Sequence, residues 1–308
     1  MVGTRVIPNF FIVGAPKCGT TALSEYLRYH PNIFISNPKE PYYFADDLFG
    51  KDLEKYVGIS ALEDYKKLFV HCTNDHLVVG EASVWYLYSK TAIQNIYRYN
   101  KGAKIIVMLR NPVDLLVSLH LQMLYNFQED VSSFQKAWDL QEKRRRGIGV
   151  PKRCWVPTLL QYGDVGRLGE QVERLYSIFP EEQVKYILFD DFVKSTKQVY
   201  ENVLSFLEIP TDGRTKFPPV NERKVHKSGS VGRFLQQPPY PLRYLWRKLT
   251  KVCGHELSKL IYLLREMNST SIELEQLDAR FRAKLVDEFR DDVKKLSKIL
   301  DRDLDHWR

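Results

Sequence analysis

Short apolar runs alternate with amphipathic stretches along most of this chain. Phe10-Phe11-Ile12-Val13 is apolar throughout, the pattern of a strand covered on both faces of a parallel sheet. Behind it, Ala22, Leu23, Tyr26 and Leu27 fall on one face of a helix that His30-Pro31-Asn32 ends. Ile33-Phe34-Ile35, Leu77 to Glu81, Lys104 to Leu109 and Val184 to Phe189 read as further strands. Helical stretches are predicted at Asp46 to Phe69, at 88–99, from Pro112 onward and from Ser195 to Leu207. Pro112 suits a first helical turn, and Tyr56, Leu62, Tyr65 and Leu68 are the expected core positions of the 46–69 stretch. From Asp278 onward, Phe281, Leu285, Phe289, Val293, Leu296 and Leu300 recur every three or four residues, which predicts a long amphipathic packing helix. Strands alternating with helices predict an α/β fold, a central parallel sheet flanked by helices.

The link between the first strand and the first helix carries the chemistry. It reads Gly14-Ala15-Pro16-Lys17-Cys18-Gly19-Thr20-Thr21. Strand, glycine loop and helix together turn loop amides and the positive helix end toward an anion. The ATPase version is G-x-x-x-x-G-K-[ST], with lysine directly after the second glycine. Here Gly14 and Gly19 keep that spacing, but Thr20 stands in the lysine's place and Lys17 lies before the second glycine. An ATPase also needs an acid near the end of a neighbouring strand to hold magnesium. The 104–109 strand instead runs into Arg110-Asn111-Pro112. These residues suit a phosphate-rich ligand neutralised by protein cations, with no obligatory metal. The expected architecture is a single P-loop-like domain spanning 1–308.

Ala15 to Thr21 resembles the 5′-phosphosulfate loop of the sulfotransferases that use 3′-phosphoadenosine 5′-phosphosulfate (PAPS). Leu109-Arg110-Asn111-Pro112-Val113-Asp114, followed by Ser118, resembles their 3′-phosphate segment. Asn37 to Phe44, Gly80 to Leu87 and Ile299 to Trp307 are similar to stretches of the bacterial and glycan branch of that family. The resemblance implies a PAPS-dependent enzyme that moves a sulfuryl group to a hydroxyl, less readily to an amine, and releases 3′-phosphoadenosine 5′-phosphate. It assigns the nucleotide to Ala15, Pro16, Lys17, Cys18, Gly19, Thr20 and Thr21, with Arg110 and Ser118 on the 3′-phosphate. Lys227, Ser228 and Gly229, within Lys224 to Ser230, resemble a segment closing over the nucleotide, with an ordinary loop as the alternative.

For the chemistry, the resemblance makes Glu40 the general base, with a structural ion pair to Lys39 as the competing reading. Lys17 stabilises charge on the bridging oxygen, and Lys39 supports the same charge or the acceptor. His120, two residues after Ser118, is the rival base, because cytosolic relatives use a histidine. A lone helical histidine more often serves as a structural hydrogen-bonder. Glu81, Ser83, Tyr43 and Trp85 are expected on the acceptor side. The glycan enzymes often carry lysine where this chain has Ala82, which tilts the expected acceptor toward a small molecule over a glycan.

Composition sets the remaining bounds. The 308 residues, 44% hydrophobic, show no repeat and no linker that would divide them. A net charge of +8 raises a nucleic-acid reading, but Lys and Arg are dispersed and their sharpest cluster is Lys143-Arg144-Arg145-Arg146. That cluster is expected to be a solvated helix end, so no nucleic-acid partner is expected, while the basic surface would still steer a multiply charged anion. Cys18, Cys72, Cys154 and Cys253 form no C-x-x-C pair, which argues against zinc and for a reducing compartment. Cys18 reads as a small loop filler, with a reactive thiol as the alternative. Only nine residues precede the first strand, so a cytoplasmic enzyme without a membrane span is expected if this is the native full length. A trimmed Golgi enzyme is the alternative. Oligomeric state stays open, as do two other classes: an ATP-dependent phosphotransferase and a non-catalytic polyanion binder.

Overall fold

A computed structural model describes residues 7–50, 53–59, 61–220, 224–236, 263–271 and 277–307. Five parallel strands form the main sheet: β1 (Phe10–Gly14), β2 (Ile33–Ile35), β3 (Val78–Ala82), β4 (Lys104–Leu109) and β5 (Val184–Leu188). Their order is β2-β3-β1-β4-β5. Phe10 pairs with Gly80 on one side of β1 and with Lys104 on the other. All of β1 and β3 and nearly all of β4 is buried, as continuous apolar runs require when helices cover both faces. From β1 the chain first builds outward to β2 and β3, then crosses to β4 and β5 on the other side. The carboxyl end of β1 is therefore a topological switch point, the place where open parallel sheets form a ligand crevice.

Helices α1 (Thr20–Arg28), α2 (Asp46–Phe49), α3 (Leu53–Val57), α4 (Leu62–Lys67), α5 (Ala92–Tyr99) and α6 (Pro112–Tyr125) follow in order between the first four strands and beyond. The predicted 46–69 helix is three short ones, broken where Gly50 (φ 48°) and Gly58 (φ 75°) take conformations that side chains disfavour. Tyr65 is buried there, Leu62 and Leu68 are half-buried, and the Tyr56 side chain lies outside the described residues. Helix α5 starts four residues later than the period suggested.

The C-terminal helix Ala279–Ile299 is capped by Asp278, which accepts from the amides of Arg280 and Phe281 (3.0 and 3.1 Å). It buries Phe281, Leu285, Phe289, Val293 and Leu296, as its periodicity requires. Its buried Asp292 accepts from Gly169 and Glu170 amides (2.7 and 2.9 Å) at the start of the helix Leu168–Tyr176. That helix, and Phe189–Lys194 directly after β5, lack a sequence signal strong enough to have been anticipated.

The chain forms two compact units, one from residues 1–116, 162–221 and 278–308 and one from 117–161 and 222–277. The sheet belongs to the first. In the second, β6 (Lys224–His226) pairs antiparallel with β7 (Ser269–Ser271). There Arg144 is fully buried against Glu129, at 2.6 and 2.7 Å in a two-pronged ion pair. Only part of the 143–146 basic cluster is therefore the solvated helix end expected of it: Lys143, Arg145 and Arg146 are exposed. No helix among the described residues is long and apolar enough to cross a membrane.

Gly80 shows how tightly the sheet is closed. A Cβ there would sit 2.4 Å from the Phe10 carbonyl oxygen and 2.5 Å from its ring. Gly80→Ala is expected to cost about 1–3 kcal/mol, the usual range for overpacking. Urea unfolding checks it, and a variant as stable as the parent would contradict this packing.

Candidate active site

The exit of β1 is bonded on one side to the turn after β3 and on the other to β4. Leu87 N–H donates to Val13 O (2.8 Å) and Ala15 N–H to Met108 O (2.7 Å). Gly14 (φ 147°) has no room for a side chain, since a Cβ would lie 2.7 Å from Val84 O. Lys17 and Gly19 turn the loop with φ 63° and 88°. A non-glycine residue held there costs on the order of 1 kcal/mol, which marks the Lys17 backbone as constrained. Gly19 is the N-cap of α1; no side chain caps that helix and no acid lies in its first turn. Its leading amides and partial positive charge are thus presented to an anion.

Two cations flank this cradle. Lys17 is half-buried at the loop apex. Arg110, 9% exposed at the exit of β4, donates to Lys17 O (3.4 Å) and lies 4.5 Å over the Phe189 ring. Cys18 is fully buried, its Sγ 3.4 Å from Pro16 O. Burial pushes its thiol up to about 12, against the lowering influence of Arg110 and Lys17. It takes the place of a filler, not of a thiolate.

The loop after β2 brings an acid to the same edge. Glu40 N–H donates to Ala82 O at the end of β3 (3.0 Å). Lys39 Nζ donates to Thr21 Oγ1 in the first turn of α1 (2.7 Å) and to Glu40 Oε1 (3.2 Å). The ion pair named as the competing reading of Glu40 is present, yet Lys39 and Glu40 keep 17% and 32% of their side-chain surface, so both can be reached. Tyr42 donates its hydroxyl to Glu40 Oε2. Three motifs far apart in sequence, at 21, 39–40 and 110, thus meet around the β1 exit.

Of the residues expected on the acceptor side, Glu81, Ser83 and Trp85 are buried. Glu81 accepts from Tyr65 (3.1 Å), Ser83 (3.1 Å) and Tyr86 (2.8 Å) hydroxyls. Burial drives its carboxyl up to about 7, opposed by those three bonds. Tyr43 is half-buried, stacks on Tyr65 at 4.8 Å, and lines a pocket of about 560 Å³ with Phe44, Asp46, Leu62, Arg98 and Tyr99. The hydroxyl layer of Tyr42, Tyr65 and Tyr86 escaped residue-by-residue reading, because single tyrosines near apolar runs look like core.

The second unit holds the other expected residues. Ser118 is buried on α6. His120 is 1% exposed, with Nε2 on Val131 O (2.9 Å) and its ring 5.4 Å from Phe134. That is the setting of a structural hydrogen-bonder. The 224–230 stretch is a strand running into the helix Gly229–Gln236. Lys227 N–H and Ser228 N–H both donate to Asn268, at 2.7 and 3.1 Å, and Gly229 opens the helix.

A parallel sheet whose central strand ends in a glycine loop, flanked by cations, defines an α/β protein of the P-loop-like class. The chain belongs to the sulfotransferase domain family, which matches residues 8–225. It is similar to carbohydrate sulfotransferase 15 of Mus musculus, 26% identical over 279 residues, covering 71% of this chain and 48% of that protein. It is also similar to heparan sulfate glucosamine 3-O-sulfotransferase 5 of Homo sapiens, 23% identical over 204 residues, with coverage of 66% and 54%. The chain spans about half the length of these curated relatives. A sulfotransferase from Alicyclobacillus acidocaldarius has a similar crystal structure, with TM-score 0.71 and 28% identity over 98% of this chain and 99% of that one.

The thiol chemistry is directly checkable. In the native protein, iodoacetamide near neutral pH should modify the half-buried Cys72 and Cys154 well before Cys18, which should react only on unfolding. Peptide mass spectrometry reads the order, and early labelling of Cys18 would place it in an open, reactive loop.

Proposed function

We propose that this chain is an enzyme that transfers a sulfuryl group from PAPS to a hydroxyl of a carbohydrate acceptor by in-line displacement. One observation carries the reading: Lys39 joins the first turn of α1, through Thr21, to Glu40, so the anion cradle and an accessible carboxylate share one edge. When bound, PAPS supplies an activated sulfuryl group. The residues present fit it, since uncapped α1 amides and Lys17 suit a phosphosulfate and Arg110 offers a planar fork for a second phosphate. Lys17 stabilises the charge that gathers on the bridging oxygen as the sulfur–oxygen bond breaks. Glu40 takes the acceptor proton as the acceptor oxygen bonds to sulfur. Tyr42 and Lys39 hold Glu40 from either side and keep its carboxylate in one orientation.

The carbohydrate acceptor is favoured by the names of the relatives described above. Ala82, standing where glycan enzymes often have lysine, favours a small-molecule hydroxyl as the second reading. Incubation with labelled PAPS and panels of both acceptor classes, beside ATP, tests the donor and acceptor together. Transfer of phosphate from ATP, or no transfer from PAPS to any acceptor, would sink the reading.

Two variants examine the roles. Arg110→Ala should weaken binding of adenosine 3′,5′-bisphosphate by on the order of 2 kcal/mol, the loss of a charge-assisted pair. Nucleotides without the 3′-phosphate should bind as before. Isothermal titration measures both, and a retained preference for the 3′-phosphate would remove Arg110 from that role.

Glu40→Gln should bind the bisphosphate almost unchanged and lower turnover roughly a hundredfold, the usual contribution of a general base. His120→Asn should do far less. The opposite ranking would transfer the base role to the histidine.

A further inference from the structure

Glu81 is the penultimate residue of β3, its carboxylate fully buried among hydroxyls. Oε1 accepts from Tyr65 (3.1 Å) and Tyr86 (2.8 Å), and Oε2 from Ser83 (3.1 Å). Two of those hydroxyls also take a backbone amide of the segment that carries Glu40. Ser83 Oγ accepts from Tyr42 N–H (3.3 Å), and Tyr86 Oη accepts from Phe44 N–H (3.4 Å). Tyr42 in turn donates its own hydroxyl to Glu40. Glu40 and Tyr42 both sit at positive φ, 63° and 52°, so no regular strand or helix holds this segment and its shape depends on such tethers.

We propose that Glu81 is a positioning residue for the transfer reaction. Its carboxylate, acting through Ser83 and Tyr86 on the amides of Tyr42 and Phe44, fixes the 40–44 segment and so the aim of Glu40. The proposal rests on Glu40 being the base.

The ionised carboxylate only accepts hydrogen bonds, so all three hydroxyls point their protons at it and keep lone pairs for the amides. Protonation turns one oxygen of Glu81 into a donor. One hydroxyl must then send its own proton elsewhere, and the polarity of one bridge reverses. The titratable groups facing Glu81 are Tyr42 from the loop after β2, Tyr65 from α4, Tyr86 from the turn after β3 and Tyr99 at the end of α5. Each is a tyrosine whose hydroxyl burial pushes up, so each stays neutral while Glu81 titrates. With the carboxyl at about 7, the change of state falls near neutrality.

Stability and function then move in opposite directions. Between the ordinary carboxylate value of 4.5 and about 7 the folded protein keeps a proton that the unfolded chain has lost. The contribution of Glu81 to stability therefore falls as pH rises through that window and is level above it. Turnover should rise over the same interval as the ionised network forms.

Glu81→Gln tests this, because its amide has one accepting and one donating end, like the protonated acid. Wild-type turnover should rise about tenfold from pH 6 to pH 8, whereas E81Q should stay near the wild-type pH 6 rate at both, with nucleotide KM within about twofold. Amide exchange at Glu40, Tyr42, Tyr43 and Phe44, corrected for its intrinsic pH dependence, should slow above pH 7 in the wild type and not in E81Q. The melting temperature should fall with pH in the wild type more than in E81Q. A wild-type acid limb that survives in E81Q, or turnover that follows the melting temperature downward, overturns the proposal. Should E81Q fail to fold, Ser83→Ala cuts the bridge to the Tyr42 amide and should lower turnover about tenfold at unchanged nucleotide affinity; full activity would overturn the idea. If the wild type transfers no sulfuryl group at all, the reading of Glu40 has failed on its own account. The exchange measurement then decides the Glu81 network separately.

Discussion

The candidate site depends on how closely the chain is packed where β1 ends. Gly14 lies against the backbone of the turn after β3, where a Cβ would strike Val84 O at 2.7 Å. The next residue is bonded to β4 through Met108. A glycine is required because β1 is the central strand and its exit is squeezed from both sides. That squeeze fixes where the loop leaves the sheet, hence where α1 begins and where its uncapped amides point. Thr21, in the first turn of that helix, is then in reach of Lys39, and Lys39 in reach of Glu40. Moving the β1 exit would separate the cradle from the acid.

Below this edge the protein uses hydroxyls where ion pairs are the more common device. A buried carboxylate without compensation is very costly, and three hydroxyl donors reduce that cost without bringing in a cation. The choice has a consequence for geometry. A lysine beside Glu81 would satisfy it from one direction, whereas Tyr65, Ser83 and Tyr86 come from α4 and from the turn after β3. They tie helix, turn and the 40–44 segment to one point. Aromatic packing completes the layer, with Tyr43 stacked on Tyr65 at 4.8 Å and Tyr42 on Phe49 at 4.5 Å.

Patterns of period were enough to read the sheet. Each of the five strands lies within a residue or two of its apolar run, because a strand covered on both faces must be apolar throughout. The C-terminal helix was legible for the matching reason: one buried stripe repeated over six turns. What escaped was either short or satisfied by distant partners. The 46–69 stretch has helical periodicity, but Gly50 and Gly58 divide it. The helix Leu168–Tyr176 is anchored by Asp292, more than a hundred residues away, and no local signal announces such a cap. That Lys17, Lys39, Glu40 and Arg110 come to one edge was legible because each follows a parallel strand within a stretch that resembles the sulfotransferase motifs. The burial of Glu81 was not legible, since nothing in Gly80 to Leu87 tells whether an acid at a strand end faces the crevice or the core.

The two acids sit in contrasting environments. Glu40 keeps a third of its side-chain surface and has a cation and a phenol as partners. Glu81 has no surface and neutral partners only. The two carboxylates are linked through Tyr42, whose hydroxyl donates to Glu40 and whose amide donates to the Ser83 hydroxyl that in turn donates to Glu81. The contrast also explains the unusual backbone of the segment between them. A regular strand continuing from β2 would send alternate side chains to opposite faces and place Glu40 and Tyr42 on the same side with no freedom to turn toward each other. With both residues at positive φ, the chain turns back on itself, so the Tyr42 hydroxyl reaches Glu40 while its amide reaches Ser83. The strain of that turn is offset by bonds that lead, within two steps, to Glu81.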